Sequence, residues 1–172
     1  GTQIINTSGA VFPANLTGVG NEVYFTAYTD ATGTEIWKTD GTTTSQVTSF
    51  AAVNPLLSSL VNVNGTLYFT ATEAATGAEL WKTNGTIAGT VLVKDIRTGA
   101  AGSSPTKLTA VGSTLYFTAN DGTSGHELWQ TDGTTKGTVL VKDIRKGDLS
   151  SSPMSLENFN GKLLFAAGNV FG

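Results

Sequence analysis

Three glutamates recur at one position of a repeated motif: Glu35, Glu79 and Glu127. Each precedes a tryptophan by two residues (Trp37, Trp81, Trp129) and an Asp or Asn by five (Asp40, Asn84, Asp132). Carboxylates at fixed spacing are candidates for proton transfer, for cation binding, or for accepting backbone N–H groups. Proton transfer or hydrolysis needs partners, and the only histidine, His126, faces Thr34 and Ala78 in the other copies. No Gly-x-Ser-x-Gly nucleophile elbow is present. The Asp-Gly-Thr turn supplies few ligands where calcium takes about six to eight oxygens, and it lacks the glycine-rich nonapeptide of calcium-binding β-rolls. The repeated carboxylates therefore read as structural acceptors. The expectation is no catalytic residue, no metal, no cofactor and no enzyme.

The motif runs Glu127-Leu128-Trp129-Gln130-Thr131-Asp132-Gly133-Thr134, with Gly137-Thr138 after it. It recurs from Glu79 through Asn84, Gly85, Gly89 and Thr90. A worn copy starts at Glu35 and keeps Asp40 and Gly41, with Ser45 and Gln46 in place of the closing Gly-Thr. The tryptophans are 44 and 48 residues apart, so the chain is a tandem array with a period in the forties. Glu and Trp share one face of their strand, and the Leu or Ile between them points to the other. The tryptophans read as packing between units. A row of sugar-stacking platforms is the alternative.

Four further strands are almost wholly apolar: residues 23–27, 67–71, 115–119 and 163–167. Aromatic and β-branched enrichment marks them as strands, and the lack of alternation implies burial on both faces. A short strand precedes each, joined by Gly20-Asn21, Asn64-Gly65, Gly112-Ser113 or Asn160-Gly161. Such pairs suit two-residue hairpin turns. A loop of about six residues leads to the Trp strand. A last strand is expected over residues 90–96 and 138–144, with its lysine guarding an outer edge. Four antiparallel strands repeated at this period predict an all-β propeller. The expected layout is an outer strand of the closing blade at 1–13, blades at 14–55, 56–105 and 106–153, and two inner strands of the closing blade at 154–172. That last unit lacks a Trp strand, so its open face is expected to support self-association.

These residues resemble the bacterial ELWxxDGT repeat over almost the whole chain. The match is complete at Glu127, Leu128, Trp129, Asp132, Gly133, Thr134, Gly137 and Thr138. The copy at Glu79 has Asn84 for Asp, and the copy at Glu35 has Ile36 for Leu. The resemblance implies a propeller within a large secreted or surface-attached bacterial protein. It carries over no catalytic residue.

Composition narrows the partners. Charged residues are 13% of the chain, about half the usual share of roughly 25%. A net charge of −3 offers no field for nucleic acid or an anionic membrane. The absence of cysteine excludes disulfides and thiolate metal sites. No apolar run approaches the roughly 20 residues of a membrane helix, and no signal peptide is visible. Lys94-Asp95-Ile96-Arg97 and Lys142-Asp143-Ile144-Arg145 mix both signs and read as solvated surface. His126 is expected to be exposed at a loop–strand junction. The sequons at Asn6, Asn15, Asn64 and Asn84 matter only in a glycosylating host. Loop residues that differ between copies are the natural ligand candidates: Asp30, Glu73, Asp121 and His126, with Thr29 and Asn120 nearby. The expected function is an extracellular or cell-surface scaffold or adhesion module, its partner carbohydrate or another surface protein. A lectin-like glycan binder is the alternative.

Overall fold

The computed structural model describes residues 9–50 and 57–168. Fourteen strands and no helix are found there, in four antiparallel sheets. The first sheet holds β1 (Val11–Val19), β2 (Glu22–Thr29), β3 (Gly33–Thr39) and β4 (Thr44–Gln46). The second holds β5 (Ser58–Val63), β6 (Thr66–Glu73), β7 (Gly77–Thr83) and β8 (Val91–Lys94). The third holds β9 (Thr106–Val111), β10 (Thr114–Asn120), β11 (His126–Thr131) and β12 (Val139–Lys142). The fourth pairs β13 (Met154–Phe159) with β14 (Lys162–Ala166). In each sheet the strands lie side by side in chain order.

The hairpin chemistry explains the register. Asn64-Gly65 and Asn160-Gly161 have positive φ at both positions, as type I′ turns demand. Gly20 and Gly112 have positive φ while Asn21 and Ser113 do not, the type II′ pattern. These turns lock Val19 opposite Glu22, Val63 opposite Thr66, Val111 opposite Thr114 and Phe159 opposite Lys162. Each first strand then breaks register beside a non-glycine residue with positive φ (Asn15, Ser59, Lys107 or Ser155), and β1 shifts a second time between Val11 and Ala14. A bulge adds twist and bends the strand. The four first strands adjoin one another in series, with Thr17 Oγ1 donating to Leu60 O (3.2 Å) and Thr109 Oγ1 to Leu156 O (3.3 Å).

The first three sheets pack face to face. One cluster joins Tyr24 and Ile36 of the first sheet, with Val47 just after it, to Leu67, Phe69 and Trp81 of the second. Another joins Tyr68, Leu80 and Val93 to Leu115, Phe117 and Trp129. Phe25, Phe69 and Phe117 sit directly opposite Trp37, Trp81 and Trp129 on the neighbouring strand. The tryptophans are only 6–9% exposed, and their indole N–H groups have no acceptor in reach. Their rings are therefore used for buried area.

Several expectations need adjustment. β1 begins at Val11, inside the segment expected to be a separate outer strand. Pro13 is accommodated because the register shifts between Val11 and Ala14. The loops into the Trp strands are three residues in the first two sheets and five in the third. The last strands stop at Lys94 and Lys142, because the backbone beyond is drawn away toward a buried glutamate. Lys94 is no edge guard: its Nζ donates to Thr138 O at 2.8 Å and lies 5.8 Å from the Trp129 ring centroid. The N-terminal outer strand falls largely, and the sequon at Asn6 and the tail from Asn169 fall wholly, outside the described residues.

Replacing Trp81 by Ala removes the ring shared by the first two sheets and should cost about 3–5 kcal/mol. Urea unfolding of the variant, compared with the wild type, checks this.

Candidate functional site

Glu35, Glu79 and Glu127 are completely buried, although each flanks the loop end of its strand. Among the described residues no cation lies against them. Backbone and hydroxyl donors satisfy them, all from the segment that leaves the sheet. Glu79 Oε1 accepts from the N–H of Ser103 (2.8 Å) and of Arg97 (3.1 Å), and Oε2 from Ser103 Oγ (2.5 Å). Glu127 repeats this with Ser151 N–H (2.7 Å), Ile144 N–H (3.2 Å) and Ser151 Oγ (2.5 Å). In the worn first copy, Glu35 accepts instead from Thr48 Oγ1 (2.5 Å) and Phe50 N–H (2.8 Å). Burial pushes the Glu35 and Glu79 carboxyls above the usual 4.5, and the hydrogen bonds only partly offset it.

The strand carrying the glutamate is built to receive that segment. Gly77 and Gly125 have positive φ, and a Cβ on either would run into linker backbone: Gly102 N at 2.5 Å, or Leu149 C and O at 2.6 Å. Ser104 N–H then donates to Ala78 O, and Ser152 N–H to His126 O. The result is a clamp formed by Gly-x-Glu on one side and a Ser-Ser-Pro segment on the other. The clamp reaches the next sheet. Phe50, held through its N–H, stacks edge-on against Trp81 (5.1 Å, 88°) and Phe69 (6.3 Å, 77°). Ile96, beside the clamped Arg97, packs into the cluster between the second and third sheets.

The Asp-Gly-Thr turns form a second repeated joint. Asp40 Oδ1 accepts from Thr42 and Thr43 N–H (2.8 and 2.7 Å), and Asp132 Oδ1 from Thr134 N–H and Oγ1 (2.8 and 2.7 Å). Asn84 Oδ1 does the same with Thr86. The Thr43 and Thr42 amides hold Asp40 below its usual range, and the Thr134 hydroxyl and amide hold Asp132 there. Gly41, Gly85 and Gly133 all have positive φ. A Cβ on Gly85 would lie 2.3 Å from Tyr24 Oη, and one on Gly133 2.2 Å from Tyr68 Oη. Lys82 Nζ donates to Gly133 O at 2.8 Å. Burial, with Glu22 beside it, pushes the Tyr24 hydroxyl up to about 12, so it stays neutral.

The ligand candidates are not gathered into one site. Asp30 is exposed between β2 and β3, while Glu73 ends β6, half-buried, opposite Gly77. Asp121 is spent on its own loop, accepting from Thr123 N–H (2.8 Å) and Ser124 N–H (2.7 Å) through Oδ1. Burial raises its pKa, but these bonds outweigh that and hold it below 3.8. His126 is half-buried, not exposed: it opens β11, with its N–H donating to Ser150 Oγ (2.8 Å). Among the described residues no three His, Asp or Glu side chains converge to hold a metal ion. Buried tryptophans offer no open face to a sugar. Sequence reasoning missed Ser103, Ser151 and the clamp glycines. The signal was present: both serines follow their glutamate by 24 residues and precede a Ser-Pro pair.

No family model matches the chain, and no curated protein matches it. Among solved structures it is similar to the AtxE2 isopeptidase in its apo form, at 16% identity and a TM-score of 0.59. The match covers 87% of this chain and 24% of that one, so the chain spans about a quarter of that protein. At this identity the likeness is one of fold, and isopeptidase describes that protein. It nevertheless corrects the expectation that the chain is not an enzyme. That expectation rested on a missing nucleophile motif in a repeat array, and a fold of this kind occurs within a chain that is an isopeptidase. Fold and chemistry are separable in both directions.

Replacing Glu79 by Ala strands the amides of Ser103 and Arg97, at about 1–3 kcal/mol for each buried group left unpaired. Glu79→Gln keeps an acceptor and should lose markedly less in thermal unfolding. pH provides an independent reading. Glu35 and Glu79 have raised folded pKa values, so their contribution is full below 4.5 and lost as pH rises through the folded values. Asp40, Asp121 and Asp132 have lowered values, so theirs is present above 3.8 and lost below it. The melting temperature should therefore peak in mildly acidic buffer, and Glu79→Gln should flatten the fall toward neutrality.

Proposed function

We propose that the chain is a segment of a β-propeller of the ELWxxDGT-repeat kind, each sheet a blade, serving as an extracellular or cell-surface scaffold or adhesion module. The observation carrying this reading is the recurrence of one joint: Tyr24 against Gly85, then Tyr68 against Gly133. An identical step repeated between successive sheets is what radial repetition requires. Adjoining first strands, each bent by a bulge at the same place, agree with blades whose first strands lie innermost. Low charge with abundant Gly, Thr, Ser and Asn fits a secreted bacterial repeat chain. The partner on this reading is another surface protein or a surface carbohydrate, met by the loop ends that differ between copies.

A lectin-like role remains as the second reading, favoured by exposed Asp30 and half-buried Glu73 at equivalent hairpin ends. It would use carboxylates and loop hydroxyls, because the tryptophans are buried. Two measurements test the pair. Antibody against the chain should label intact source cells, and labelling only after permeabilisation would contradict the surface reading. Affinity electrophoresis in soluble polysaccharide should show no retardation if the chain is a scaffold. Retardation lost in Asp30→Ala/Glu73→Ala would favour the lectin.

A further inference from the structure

The seams between successive sheets differ where their first strands run into the hairpin turns. Between the first and second sheets two bonds cross: Thr17 Oγ1 donates to Leu60 O (3.2 Å) and Asn62 Nδ2 to Gly18 O (3.0 Å). The pair recurs between the third and fourth sheets, from Thr109 Oγ1 to Leu156 O (3.3 Å) and from Asn158 Nδ2 to Ala110 O (3.0 Å). Asn62 and Asn158 also accept through Oδ1 from the turn glycine of their own hairpin, Gly65 N–H (2.9 Å) and Gly161 N–H (3.1 Å). Each asparagine therefore ties a turn and a seam together.

The seam between the second and third sheets has neither bond. Val61 stands at the position of Thr17 and Thr109, and Ala110 at the position of Asn62 and Asn158. Neither side chain can donate. Among the described residues no hydrogen bond joins β5 to β9, although the two strands adjoin. Val61, Leu108 and Ala110 pack instead against the apolar cluster between these sheets. Bonds do cross this seam elsewhere. Thr70 Oγ1 donates to Pro105 O (2.9 Å), at the opposite end of β9. Toward the outer strands, Lys82 Nζ donates to Gly133 O and Lys94 Nζ to Thr138 O (both 2.8 Å), and Thr135 Oγ1 to Val93 O (2.9 Å). The turn types follow the same alternation, II′ in the first and third sheets and I′ in the second and fourth. Thr17 and Thr109 are 92 residues apart and Asn62 and Asn158 are 96, where successive tryptophans are 44 and 48. A chain of equivalent single sheets would make all three seams alike.

We infer that the first and second sheets, and the third and fourth, are two rigid pairs, and that the seam between the pairs is a hinge opening at its hairpin end. Paired directional bonds fix one strand against the next, whereas apolar contact is non-directional and permits sliding and opening. The bonds toward the outer strands form the pivot, and Val61 and Ala110 form the mouth. Opening bares Val61, Leu108 and Ala110 and leaves the other two seams shut. The inference rests on seam chemistry and not on the surface-scaffold reading, so either can fail alone.

Thiol labelling of the whole chain tests it. The chain has no cysteine, so a single introduced thiol reports alone. Val19 and Val63 each end a first strand and are 8% and 6% exposed, Val19 in the cluster between the first two sheets and Val63 in that between the second and third. Maleimide-dye labelling of Val19→Cys and Val63→Cys is timed in the folded state and normalised to the rate in urea. Val63→Cys should label about tenfold faster, because the less strongly held seam opens locally more often. Adding Val61→Thr/Ala110→Asn supplies the missing donors and should slow Val63→Cys toward the rate of Val19→Cys. Adding Thr17→Val/Asn62→Ala should speed Val19→Cys. Circular dichroism confirms folding of each variant, and the comparison of the two single-thiol chains decides even where a multiple variant does not fold. Equal normalised rates for Val19→Cys and Val63→Cys would overturn the inference, since labelling would then pass through global unfolding. So would an unchanged Val19→Cys rate in folded chain lacking Thr17 and Asn62.

Discussion

A fully buried carboxylate ties each of the first three sheets to the linker that leaves it. A carboxylate taken from water is costly unless its acceptor sites are filled, and here they are filled by amides and a hydroxyl of the departing segment. That segment lies outside regular strands, where its own buried N–H groups would otherwise lack partners. The two needs cancel each other. The glutamate cannot be buried without the linker, and the linker cannot be buried without the glutamate. Because Phe50 and Ile96 lead directly into the next core, fixing the linker also fixes the position of the next sheet.

The Tyr–Gly joint secures the opposite side of the same step. A tyrosine hydroxyl sits where any side chain at the turn would be, so the glycine is needed for close approach as well as for its φ. With a glutamate clamp at one end of the Trp strand and a glycine turn at the other, the motif reads as two connectors joined by a ring that fills the space between sheets. In the worn first copy the clamp is kept although the closing Gly-Thr is not. Thr39 finds Thr43 O locally, and Thr48 supplies the hydroxyl that Ser103 and Ser151 supply elsewhere.

Much of the architecture was legible in the sequence. The apolar runs around Phe25, Phe69 and Phe117 announced strands buried on both faces, and Asn64-Gly65 announced its turn type. The glutamates read as acceptors for backbone N–H groups, which is how they are used. The features that were not legible depended on contacts across long stretches of chain. The repeated Ser-Ser-Pro segment hinted at Ser103, but only its recurrence 24 residues after each glutamate links it to Glu79, and nothing local marks Thr138 O as the acceptor for Lys94. The lysine's surface pattern suggested solvent because its partner lies 44 residues away. The enzyme question failed for a different reason. A repeat motif reports how units join, and the fold match to an isopeptidase shows that it is silent about the chemistry of the chain around it.

Amide hydrogen exchange at Ser103 and Ser151 reads out whether the buried glutamates hold the linkers in place. Neither residue lies in a strand, so without the clamp both amides should exchange as ordinary loop amides. Protection comparable to β7 and β11 is expected, lost at Ser103 alone in Glu79→Ala while Ser151 stays protected. Fast exchange at both sites in the wild-type protein would contradict it.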